Sequence, residues 1–164
     1  MYLLDANVFI TAKNVHYDFD VVPGYWDWID EAASTSRAVS IDRVASELKA
    51  QRDDLAQWAG LRPALFRRST DQIAPALTRV AEWAVAQPRF RPAALATFLS
   101  SADYYLVAHA LTYGDTLVTH EVPAPLSQTN VKIPDACRGV GVAYVNPFLM
   151  LRRESARFEL APTP

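Results

Sequence analysis

The amino-acid sequence predicts a three-layer α/β fold with a central, mostly parallel sheet. Short apolar runs that read as strands alternate with longer segments whose apolar residues recur at helical spacing. Strands separated in this way pair in parallel through right-handed crossovers. The first run, Tyr2-Leu3-Leu4, is continuous and not alternating, as in strands covered on both faces, and it stops on Asp5. A carboxylate there stands at the carboxyl edge of the sheet, where open α/β sheets bind ligands.

Each element has its own signal. Pro23-Gly24 leads into YWDWIDEAAS, whose Trp26, Ile29 and Ala33 lie at helical spacing. Ala38-Val39-Ser40-Ile41 reads as a second strand. From Asp42, placed to cap its start, a single helix is expected through VASELKAQRDDLAQWA to Gly60, with Val44, Leu48, Leu55 and Trp58 as its stripe. Residues 62–99 are expected to be wholly helical and to form an arm or insertion. Ile73, Leu77, Val80, Ala81 and Ala84 make the stripe of one helix there, and Pro92 opens a second. Ser101-Ala102-Asp103 starts the helix YYLVAHALTY, which Gly114 closes, and Asp115 to Thr119 makes a strand ending at His120-Glu121. Val140 to Val145 reads as the last strand, before a closing helix in NPFLMLRRES. Pro123 with Pro125 reads as a loop, and Pro162 with Pro164 as a frayed tail.

With 164 residues, 51% of them hydrophobic, the chain suits a single domain over 1–164. Charges interrupt its apolar stretches well before the roughly 18 residues a membrane span needs, and no basic n-region precedes Asp5. A soluble, cytoplasmic protein is expected. The lone Cys137 forms no internal disulfide, and with three histidines a thiolate zinc site is disfavoured, so any metal should be held by oxygen. The net charge of -2 gives no global attraction to nucleic acid. A local patch would have to supply it, and the basic residues, of which 13 are arginine, fall partly in short groups: Arg67-Arg68, Arg89 with Arg91, Arg152-Arg153. The plainer reading of each group is a solvated face.

Four acids stand out. Asp5, Asp103 and Glu121 can meet on one sheet edge, and Glu47, beside the Val44/Leu48 stripe, should lean toward the core. Two carboxylates about 5 Å apart repel by on the order of 3 kcal/mol at an effective dielectric near 20, so such a cluster needs a cation. Only Lys49 is adjacent in sequence, which makes a divalent ion the natural counter-charge. Oxygen-only ligation selects Mg²⁺ or Mn²⁺, and such ions suit phosphodiester hydrolysis. Singly, each acid has an ordinary explanation: Asp103 as a helix-start residue, Asp5 as a turn residue bonding its own backbone, Glu47 as a solvated helix glutamate and Glu121 as a loop acid. The conjunction is what informs.

The motifs LLDAN, S-x-x-x-V-x-x-E-L from Ser40 to Leu48, A-D-x-x-L-V-A-x-A from Ala102 to Ala110, and L-V-T-H-E from Leu117 to Glu121 resemble those of the PIN-domain ribonucleases. More narrowly, with V-K-I-P-D from Val131 to Asp135, the chain is similar to a PIN-like branch of VapC-like and predicted prokaryotic toxins. The resemblance implies a PIN-like fold and a metal-dependent endoribonuclease, a toxin with a cognate antitoxin protein, an RNA substrate and a possible homodimer. Asp5, Glu47, Asp103 and Glu121 would be the catalytic and metal-binding acids, supported by Asn7, Thr119 and Asp135. Many relatives carry T-x-D where this chain has Thr119-His120-Glu121. His109 reads as helix packing, and His120 as a phosphate contact or nothing. Trp26, Trp28 and Trp58 are candidate partner surfaces or core. The alternatives are a PIN-like binding or scaffold module without catalysis, and a structure-specific DNA nuclease.

Overall fold

The computed structural model describes residues 1–159, and the expected tail at Pro162 and Pro164 lies outside them. Five strands form one parallel sheet: β1 (Tyr2–Leu4), β2 (Ala38–Ile41), β3 (Phe66–Arg67), β4 (Thr116–Val118) and β5 (Tyr144–Val145). Their order is β3-β2-β1-β4-β5, with Leu3 opposite Val39 on one side and Leu117 on the other. Helices flank this sheet, giving the expected three-layer α/β architecture. The strand at the centre is the one that ends on Asp5, and Leu3, Leu4, Ile41, Leu117 and Val118 are fully buried around it.

Because every strand runs the same way, their carboxyl ends share one edge. There β1 leads into α1 (Ala6–Thr11) through Asp5, β2 into α3 (Asp42–Ala50), and β4 into Thr119. A buried bond from the Ser40 hydroxyl to the Leu4 carbonyl, 2.7 Å, ties the first two ends together. The amide of Asp5 donates to the Val118 carbonyl at 3.1 Å, tying the first to the third. The helix α2 (Pro23–Ser34) buries Tyr25, Trp26, Ile29 and Ala32.

Four expectations are corrected. The helix from Asp42 is two: Arg52 takes the left-handed φ of 56°, and Asp53 accepts from the Ala56 amide to cap α4 (Asp54–Gly60). Asp42 is the first residue of α3 and not its cap. Its carboxylate accepts from the Ser69 amide and hydroxyl, both 2.9 Å, pinning the segment after β3. Residues 62–99 are not wholly helical, since β3 joins the sheet edge, and α5 (Ala74–Val85) packs on α7 (Ala102–Tyr113) as part of the body of the fold. The second short helix, α6 (Pro92–Ser100), is where Pro92 placed it. Finally, Val140 ends α8 (Ile133–Val140), closed by Gly141 at φ 83°, so the last strand shrinks to β5 before α9 (Pro147–Arg153). The start of α8 at Ile133 lies inside V-K-I-P-D.

The tryptophans settle mostly into the core. Trp26 and Trp58 pack edge to face, centroids 4.9 Å apart, and both are buried, so they are not surface anchors; Trp28 is partly covered. Where α5 meets α8, Trp83 lies directly over Gly139. Among the described residues no helix is long and apolar enough to cross a membrane.

Candidate active site

Asp5 stands between β1 and α1 with extended backbone, yet makes no capping bond to that helix. Its carboxylate is turned to the neighbouring strand end, where the Thr119 hydroxyl donates to Oδ2 at 2.8 Å. Thr119, itself buried, is a hub: its oxygen also accepts from the Asn7 amide nitrogen and from the Glu121 backbone N–H, each at 3.0 Å. The Asn7 carbonyl oxygen then takes the His120 N–H at 3.0 Å. Asn7 and Thr119 thus support the first acid.

Asp5 is only 4% exposed. Burial first, then the charge of Asp103 and more weakly that of Glu121, push its carboxyl up to about 7, against the Thr119 hydroxyl and the Ala6 amide. Asp103, in the first turn of α7, is pushed up to about 6 by burial, then Glu121 and Glu47, while Lys132 pulls it down. The mutual effects bring Asp5, Asp103, Glu121 and Glu47 into one electrostatic cluster. Glu47, however, is exposed and not turned to the core; it rims an open cleft of about 500 Å³ with Arg43, Ser46, Ser69, Ser100 and Ala102. Burial on that flank still raises its carboxyl.

Glu121 differs from the expectation. Both its oxygens are engaged, Oε1 by the Lys132 ammonium and Oε2 by the Ile133 N–H, each at 2.7 Å. The bond to Glu121 is the largest influence holding the Lys132 ammonium charged. The cluster therefore carries a cation of its own, Lys132, beside whatever divalent ion it would hold. Lys132 was missed because it is distant in sequence from three of the acids; its position in V-K-I-P-D was the available signal. Asp135 is buried and accepts from the Ala124 N–H at 2.9 Å, so it holds the loop beyond Glu121.

Among the described residues no group of three or more His, Cys, Asp or Glu side chains is arranged to hold a metal ion. The fit to a divalent ion is thus partial. Asp5 and Asp103 are oxygen donors whose raised proton affinities a cation would relieve, while Glu121 is already committed.

The histidines and arginines separate cleanly. His109 is fully buried in α7, its Nε2 3.2 Å from the Ser69 hydroxyl, and burial and Arg67 push it down to about 4, as expected of a packing residue. His120 packs near His16 and Phe148, and burial, then the charge of His16, lowers its proton affinity. Arg67 pairs with Asp115 at 2.7 Å and Arg62 with Asp30 at 2.6 Å, so these are structural. Arg43 lines the cleft and lies 3.5 Å over the Tyr105 ring.

Fold and site define a three-layer α/β protein with an acid cluster at the carboxyl edge of a parallel sheet. The chain belongs to the family described as a domain of unknown function (DUF4411), whose model matches residues 2–158. No curated protein and no solved structure matches it.

Proposed function

We propose that the protein is a metal-dependent endoribonuclease that hydrolyses RNA to a 3′-hydroxyl and a 5′-phosphate. The observation that carries this reading is the pair Asp5 and Asp103, two acids from different elements held on the sheet's ligand-binding edge with carboxyls raised to about 7 and 6. Mg²⁺ or Mn²⁺ held by Asp5 and Asp103, with Glu47 at the rim, would activate water and neutralise the phosphate. The chain itself orients Asp5 through Thr119 and Asn7. It also offers Arg43, braced on Tyr105, beside the open cleft that Glu47 rims. The assignment as a toxin, with a cognate antitoxin protein and a homodimer, rests on the likeness to PIN-domain toxins.

The test is cleavage of total RNA with Mg²⁺ or Mn²⁺ by wild type and Asp103→Asn, with single-stranded DNA alongside. RNA cut by wild type only, leaving 5′-phosphate ends, supports the reading. Preference for DNA favours the nuclease alternative. The engagement of both Glu121 oxygens favours a second reading, a binding module without catalysis. No cleavage of either nucleic acid would favour that one.

A further inference from the structure

We propose that Lys132 takes the place of a second divalent ion: its ammonium is the fixed counter-charge of Glu121, and the site accepts a single metal ion, held by Asp5 and Asp103. The inference rests on the metal-dependent reading for its chemistry and on the Lys132 contacts for its own case.

Lys132 is not a loose surface lysine. It precedes α8 directly, its carbonyl accepts the amides of Asp135 and Ala136 at 3.0 Å each, and its neighbours Val131 and Ile133 are buried. The stem therefore leaves a fixed backbone. Its ammonium reaches Glu121 Oε1 at 2.7 Å, and the adjacent Ile133 N–H takes Oε2 at the same distance. One short segment thus grips both oxygens of the fourth acid. Glu121 is fixed from the other side as well, through its own amide on the Thr119 hydroxyl. Lys132, Glu121 and Asp103 line one small polar pocket of about 100 Å³, with Ser101, Thr129 and Asn130.

The charges balance on this arrangement. Lys132 cancels the charge of Glu121, and the exposed Glu47 is left to solvent, so the ionised Asp5 and Asp103 are what one divalent ion neutralises. A second ion on Glu121 would share a single carboxylate with an ammonium, so like charges would meet within a few ångströms, on the order of 3–4 Å. Lys132 is a positioning residue on this account. It holds Glu121 and supplies a compact point charge, the kind that suits phosphate.

Titration calorimetry with Mn²⁺ tests it on the full chain at pH 8, for wild type, Lys132→Arg and Lys132→Met, with RNA cleavage measured in parallel. The expected result is one Mn²⁺ per chain for wild type and Lys132→Arg, and two for Lys132→Met, with activity lost in the methionine variant and partly kept in the arginine one. A merely structural lysine would change stability without changing stoichiometry. Two ions in an active wild type overturn the proposal and leave the nuclease reading standing. One ion in Lys132→Met overturns it as well. Should Lys132→Met fail to fold, the wild-type count decides alone. No ion bound and no cleavage by wild type would overturn both.

Discussion

Asp5 carries a cost that its surroundings do not remove. Its carboxyl titrates near 7 against an ordinary 3.8, so in the metal-free chain at pH 8 its ionised form is disfavoured by burial and by Asp103. Asp5→Asn keeps the shape and can still accept the Thr119 hydroxyl. It should raise metal-free stability at pH 8 by about 1–3 kcal/mol while abolishing cleavage. Asp103→Asn should act in the same direction and less, since its carboxyl is raised only to about 6. Urea midpoints measure both, and a clear loss of stability in both variants would make these acids structural. Thr119→Val tests the hub. It strips partners from Asp5, Asn7 and the Glu121 amide at once and should cost about 1–3 kcal/mol with loss of activity, while Thr119→Ser retains both. Asp5, Asp103 and Thr119 were legible in the sequence because each sits at a recognisable strand or helix end. Lys132 was not, since its contact to Glu121 closes through an irregular loop that no periodicity reports.

Among the elements, those with strong punctuation were legible: α2 at Pro23, α6 at Pro92, and α7 with Gly114 at φ 68° behind it. Legibility failed where two signals overlapped. The stripe from Val44 to Trp58 keeps helical spacing across Arg52, so the break there is written only in Asp53, whose capping role a run of polar residues concealed. At two residues β3 is too short for any alternation, and it pairs only because β2 offers an open edge. The joint of α5 and α8 yields a prediction of its own. A Cβ at Gly139 would lie 1.9 Å from Trp83 Nε1, and a ring packed against the core, though only half-buried, does not step aside as a flexible chain end can. Gly139→Ala should therefore destabilise by about 1–3 kcal/mol. In a thermal melt Trp83→Leu should recover most of that loss when combined with it, and simple additivity of the two changes would count against the packing argument.

For the molecule as a whole, the sheet gathers its charge on one edge, and this makes stability depend on pH in an unusual direction. Asp5 and Asp103 titrate in the folded chain near 7 and 6, above their ordinary 3.8. Between those limits the folded state binds more protons than the unfolded one. Their contribution is complete below about pH 4 and is lost as pH rises through 6 and 7. His109 opposes them, because it is pushed down to about 4 from 6.5, so its contribution is present above pH 6.5 and lost as pH falls toward 4. His120, lowered as well, acts in the same sense. The opposing effects overlap below pH 6.5, and above it Asp5 is the main group still changing. Metal-free wild type should accordingly melt at a lower temperature at pH 8 than at pH 6.5, and Asp5→Asn should flatten that slope. Mn²⁺ binds the deprotonated acids, so its stabilisation should grow over the same interval and offset the loss, by about 2.7 kcal/mol at a hundredfold excess over its dissociation constant. Melting curves at the two pH values, with chelator or with Mn²⁺, measure each part. A wild type insensitive to both pH and Mn²⁺ would mean that the four acids are not coupled on that edge in solution.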